Sequence, residues 1–243
     1  MDRLERTSVA LLLALFVIVL LVAALVLGTS KRSTESPEQR RSAPETRAQS
    51  ETAGERLVRL LGGPPAQWTP ISAPRTAPQV TERLIPQYRA GGDARVYRAR
   101  PDGWRPTAIV MHASGSGAPG SEFGSLAKLQ RFFARPAARS SAHYGVDRQG
   151  RVMRYVADDQ AAFHTATPGW NDLSIGIELL NDNSGEQPFP PGQMRAVTRL
   201  VRHLASTYSI PAEAIVRHRD VQPEDRADPP RNFPWQTWVG SLG

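Results

Sequence analysis

The 243-residue sequence contains no cysteine. That absence excludes disulfides, cysteine ligands to a metal and a lipoprotein-type anchor, and leaves the redox compartment open. Lysine is nearly missing as well, found only at Lys31 and Lys128, so the net charge of +7 rests on arginine. A basic chain suits nucleic acid, anionic lipid or an anionic wall polymer, and the same bias fits a GC-rich genome. No base-stacking motif or basic stripe accompanies the charge, so no nucleic-acid partner is expected. A glycine-rich phosphate loop, a strand lysine and a DFG segment are all lacking, which removes a kinase reading of "HRD" at His218–Asp220. Also missing are HExxH, tight HxH spacing and internal repeats.

What is present begins with an apolar run. From Val9 to Leu27 no charged or strongly polar residue occurs. As a helix it would span roughly 28 Å, close to a bilayer core. A secretory signal has an apolar stretch of about 7–15 residues. Residues 1–29 are therefore expected to be a transmembrane anchor, with a cleaved signal sequence as the alternative, since Val26 and Gly28 could serve a signal peptidase. Arg3 and Arg6 precede the run, and Lys31, Arg32, Arg40, Arg41 and Arg47 follow it. Charge counting alone would leave the C-terminal part in the cytoplasm.

Residues 30–82 are polar and proline-rich and are expected to form a flexible, disordered linker. Within them "ERLVRLLGG" (Glu55–Gly63) could form a short amphipathic turn of helix. Residues 83–243 are the expected folded domain. "TAIVMHAS" (Thr107–Ser114) and "LSIGIELLN" (Leu173–Asn181) read as buried strands, and "IVRH" as a third. "AHYGVDRQGRVMRYV" carries a hairpin signal. "SEFGSLAKLQRFFARP" predicts a helix capped at Ser121 and stopped at Pro136. A second helix follows Pro190–Pro191, with Met194, Val197, Val201, Leu204 and Tyr208 at helical spacing. The alternation predicts an α/β fold: a single domain with a central mixed β-sheet flanked by helices, preceded by the transmembrane helix and linker.

Of the five histidines, His203 reads as an exposed helical residue and His143 as a satisfied group of the hairpin. His112 and His218 each end an apolar strand-like run, where α/β sheets place their sites. Asp228 follows in a proline loop. Two imidazoles and a carboxylate would suit a catalytic zinc with one open position; a polar C-terminal loop is the other reading. Residue types alone leave both open.

Five segments in order, "IVMHAS", "SAHYGVDRQGRV", "DDQAAFHTA", "NDLSIGIELLN" and "IVRHRDVQPEDRADP…FPW", resemble the type 2 N-acetylmuramoyl-L-alanine amidases, the superfamily of peptidoglycan recognition proteins and amidase-type phage lysozymes. The resemblance implies a zinc hydrolase that cleaves the amide between N-acetylmuramic acid and L-alanine in peptidoglycan. It implies His112, His218 and Asp228 as metal ligands, one Zn2+ per chain, and Glu178 as the acid/base group. Arg226 stands where the family usually has lysine, and Arg217 where glycine is usual. Ala142 replaces the tyrosine of phage-type members, which favours the glutamate-based variant. Arg226 is expected to stabilise the oxyanion. His164, after an apolar stretch, and Asn171, just before the Glu178 strand, are expected to contact substrate. The partners implied are peptidoglycan or muropeptides, with the membrane held through the N-terminal helix. A monomer is expected, membrane-anchored, its catalytic domain in the periplasm or outside the cell. The alternative is a membrane-tethered peptidoglycan-binding module without catalysis.

Overall fold

The computed structural model describes residues 52–63, 68–85, 96–115 and 123–243. Helix α1 (Ala53–Leu60) opens on a capping box: Thr52 Oγ1 accepts from the Glu55 N–H, and Glu55 Oε2 accepts from the Thr52 N–H. Strands β1 (Val80–Glu82) and β2 (Tyr97–Ala99) follow, then β3 (Ala108–Ala113), in which every residue is buried. A strand covered on both faces needs a near-continuous apolar run, which "AIVMHA" supplies until its histidine. Helix α2 (Leu126–Phe133) leads to the hairpin of β4 (Tyr144–Val146) and β5 (Val152–Arg154). Its turn is fixed by Asp147, whose Oδ1 accepts from the N–H groups of Gln149 and Arg151, and by Gly150 at a φ of 83°. Then come β6 (Gln160–Ala162), the one-turn α3 (Trp170–Leu173), β7 (Ser174–Leu179), α4 (Pro191–Tyr208), β8 (Ile215–Arg217), the one-turn α5 (His218–Val221) and α6 (Trp235–Gly240).

The main sheet has the order β1-β5-β4-β7-β3-β8, antiparallel between β4 and β5 and parallel elsewhere. Strands β2 and β6 form a separate antiparallel pair. The sheet is mixed, as the sequence predicts. A larger apolar cluster joins β3 and β7 to Val197, Leu200, Val201 and Leu204 of α4. A smaller one joins Leu126, Leu129 and Phe133 of α2 to Tyr155, Val156 and Leu180. Parallel register sets His112 beside Glu178, and Glu178 beside Gly145 on its other flank. Side chains paired in this way emerge on one face of the sheet.

Three expectations need correction or adjustment. Residues 52–63 and 68–82, expected to lie in a flexible linker, instead pack on the domain. Leu57 and Ile71 are buried in the main core, and β1 pairs with β5. A few apolar side chains at helical and strand spacing outweigh the polar composition around them. The first expected helix begins at Leu126 with Ser125 as its cap, because the Ser125 oxygen accepts the Lys128 N–H; Ser121 lies outside the described residues. No helix among the described residues is long and apolar enough to cross a membrane. The longest, α4, carries arginines and a histidine along one side. The apolar run Val9–Leu27 lies outside the described residues.

Candidate metal centre

The C-terminal ends of β3, β7 and β8 converge on one cavity of about 230 Å³. Met111 pairs with Arg217 across β3 and β8, so the residues that follow each of them, His112 and His218, come side by side. Their ring centroids are 4.3 Å apart. Asp228 reaches the same point from its proline loop. The Arg219 N–H donates to the Asp228 carbonyl at 3.0 Å, and the Ala113 N–H donates to Asp228 Oδ2 at 3.2 Å. His218 Nδ1 lies 3.1 Å from Asp228 Oδ1, and His112 Nδ1 lies 3.6 Å from Asp228 Oδ2. All three residues are buried, and one donor atom from each falls within 4.8 Å of the others. Metal–nitrogen and metal–oxygen bonds of about 2.0–2.1 Å in a tetrahedron put ligand atoms roughly 3.3–3.4 Å apart. The two spacings bracket that value, so this donor set fits such an ion.

Charge in the cluster is set by burial and proximity. Burial pushes the Asp228 carboxyl up, but the nearness of the His112 and His218 imidazoles, the latter within hydrogen-bond distance, outweighs it and holds the group well below the usual carboxylate range. Burial lowers His112 to about 4 against the opposing pull of Asp228. Burial also holds His164 well below the usual imidazole range, with His112 and His143 adding to the effect. These imidazoles are therefore neutral near pH 7, the form that ligates.

Glu178 lines the cavity beside His112. Burial, and then the Asp228 carboxylate, raise it to about 8. Its Oε2 is shielded from solvent and makes no hydrogen bond. A carboxyl in such a place is costly as a plain structural group and is poised to exchange a proton near neutral pH. Arg226 lines the same cavity from the rim. Its guanidinium is 43% exposed and pairs with Asp225 at 3.1 Å. Asp220 does not orient His218. Its carboxylate accepts from the Arg217 N–H and from the Arg217 guanidinium at 2.7 and 2.8 Å, capping α5.

The two expected substrate contacts sit differently. His164 lines the cavity, but both ring nitrogens face protein: Nδ1 is 3.1 Å from His112 Nε2 and Nε2 is 3.2 Å from Ser174 Oγ. Asn171 turns its amide to the backbone, accepting from the N–H groups of His164 and Thr165 and donating to the Thr165 carbonyl. That shapes the loop and engages the amide with backbone, and Asn171 is not among the residues that line the cavity. His143 is satisfied inside the fold. Its Nδ1 accepts the Gly176 N–H and its Nε2 lies 3.0 Å from the Gln160 carbonyl.

Sequence reasoning missed two features. One is the phenylalanine lining, Phe123, Phe132, Phe133 and Phe163 in the same cavity as the donors; helical phase puts Phe123, Leu126, Leu129 and Phe133 on one side of the helix but gives no sign that the side meets the site. The other is Gln222. It accepts from the Ala166 N–H and donates to Asp225, linking the His164 loop to the Arg226 loop. A glutamine in a charged segment gives no signal of this.

Residues 102–231 match the N-acetylmuramoyl-L-alanine amidase family. The chain belongs to this family. It is 32% identical over 123 residues to the 1,6-anhydro-N-acetylmuramyl-L-alanine amidase AmpD of Haemophilus influenzae, covering 47% of this chain and 66% of that one. With the AmpD of Escherichia coli it shares 30% identity over 157 residues, 57% of this chain and 84% of the relative. The crystal structure of a selenomethionine AmpD derivative superposes with a TM-score of 0.52 at 25% identity, covering 66% of this chain and 93% of that one. These relatives carry the enzyme class that the five motifs imply. They also bear on location. The expected membrane-anchored placement in the periplasm or outside the cell is corrected: no helix among the described residues is long and apolar enough to cross a membrane, and the relatives matched are named as 1,6-anhydro-N-acetylmuramyl-L-alanine amidases.

Proposed function

We propose that this chain is a zinc-dependent amidase that hydrolyses the bond between N-acetylmuramic acid and L-alanine in peptidoglycan or muropeptides, as a monomer with one zinc per chain. The observation that carries the reading is the meeting of His112, His218 and Asp228 in one cavity beside the unpartnered carboxyl oxygen of Glu178. The relatives' names supply the substrate class.

His112, His218 and Asp228 would hold the ion. Zinc in such a site supplies Lewis acidity to an amide carbonyl and acidifies water. With the ion's positive charge beside it, Glu178 in its carboxylate form would take the proton of the attacking water and return it to the departing amine. Arg226, at the rim, supplies positive charge for the oxyanion. Phe132 and Phe163 line the same cavity and would limit water around the scissile bond. The loop set by Asn171 and Gln222 holds His164 and the Arg226 segment in place.

Mass spectrometry of muropeptides and peptidoglycan digested with and without a chelator tests this. The expected products are free stem peptides and sugars, lost on chelation and restored by zinc. Intact substrate with bound muropeptide would instead favour the non-catalytic binding module.

A further inference from the structure

Trp170, Ser174, His164 and His112 form a line of hydrogen bonds that ends at the donor cluster. The Trp170 carbonyl can only accept. Ser174 Oγ lies 2.5 Å from it and so donates its proton there. The hydroxyl is left with lone pairs toward His164 Nε2 at 3.2 Å, so that nitrogen carries the hydrogen. His164 Nδ1 is then bare and accepts from His112 Nε2 at 3.1 Å. His112 must therefore keep its proton on Nε2 and present a bare Nδ1, the nitrogen 3.6 Å from Asp228 Oδ2. Each step follows from the one before, starting at a carbonyl that has no choice of role.

We propose that His164 is a positioning residue: it fixes the tautomer and ring angle of His112, so that the lone pair of His112 Nδ1 points into the metal cluster. The proposal rests on the zinc reading above for its consequence, not for its geometry. Ligating histidines commonly donate their second nitrogen to a carboxylate, a backbone carbonyl or water. Here the acceptor is a second imidazole, which accepts only because Ser174 holds it in one tautomer. The ring also sits in a slot made by Gly176, where a Cβ would lie 2.5 Å from His164 Cγ. Asn171 pins the backbone of the same residue. Three groups from two elements thus hold a side chain that need not touch substrate.

Nitrogen-15 NMR of the metal-free full-length protein reads the tautomers directly. Both His112 and His164 are expected as the Nε2–H form; an Nδ1–H form of either overturns the proposal. Competition with a chromophoric chelator then measures zinc affinity. His164→Phe should weaken zinc about 10–100-fold, with Ser174→Ala losing less. His164→Asn, whose side-chain oxygen can stand in for Nδ1, should recover part of the loss. Thermal melts of the metal-free variants separate these losses from misfolding. Unchanged affinity in a folded His164→Phe overturns the proposal. If His164→Phe does not fold, Ser174→Ala and the tautomers decide. A wild type that binds no zinc refutes the zinc reading, while the tautomers still decide the positioning.

Discussion

His112, Glu178 and His218 stand on or just beyond parallel strands, Asp228 is pinned beside them by the Ala113 and Arg219 N–H groups, and His112, His218 and Asp228 are buried. Facing them, Arg226 comes from an exposed loop, and Phe132 and Phe163 from a helix end and a loop where both are half-buried. The strand side is fixed by ladder register, backbone donors and buried hydrogen bonds. In the Arg226 loop the side-chain fastenings are Gln222 to Asp225 and one surface ion pair, Asp225–Arg226, and surface pairs of this kind contribute about 0–1 kcal/mol. Under the proposed function, chemistry that needs fixed geometry falls to the first side and adjustable contact with substrate to the second. Substitutions should follow the same order.

The largest effect is expected from His218→Ala. It removes a donor from the strand side and should reduce bound zinc from one per chain to none, with affinity falling by more than about 100-fold; elemental analysis after gel filtration checks it. Glu178→Gln should keep the zinc and lose hydrolysis by about 10²–10⁴-fold. It should also remove a pH dependence. The folded-state Glu178 is raised from 4.5 to about 8, so between those values the folded chain holds a proton that the unfolded chain has released. Its contribution to stability is present below about 4.5 and is lost as pH rises toward 8. Melts of metal-free protein from pH 5 to 8 should show that decline in the wild type and a shallower one in Glu178→Gln. The smallest effects belong to the loop side. Arg226→Ala should lower kcat by about 10²-fold, and Arg226→Lys should stay within about tenfold of wild type. An Arg226→Ala loss as deep as that of Glu178→Gln would erase the distinction between the two sides.

How much of this was legible in the sequence differs in the same way. The buried strands announce themselves as apolar runs, and their ends mark His112 and His218, because ladder geometry turns sequence period into position. The mixed sheet follows from the alternation of strand and helix signals. Asn171 and His164 were legible as polar residues near the site, but not by task. A sequence gives a side chain's type and conceals which neighbour it meets, and here the neighbours are a loop backbone and another histidine. Gln222 and the phenylalanine wall depend on loop closure across more than 50 residues, which no local pattern encodes. The helix at Ala53–Leu60 was read as a possible turn in a linker, and its packing was hidden because only a few leucines in a polar stretch, Leu57, Leu60 and Leu61, carry it.

That helix sets a practical boundary for anyone who shortens the protein. Leu57, 1% exposed, belongs to the main core, and burying such a side chain contributes about 1.5–3 kcal/mol. Thr69 adds a second fastening, donating its N–H and hydroxyl to the Glu213 carboxylate at 2.9 and 2.7 Å. A version trimmed to the family-matched segment would lose α1, β1 and β2, strip β5 and β6 of a strand partner each and leave apolar surface for other molecules to find. The working unit starts ahead of Thr52, well upstream of where the amidase motifs begin.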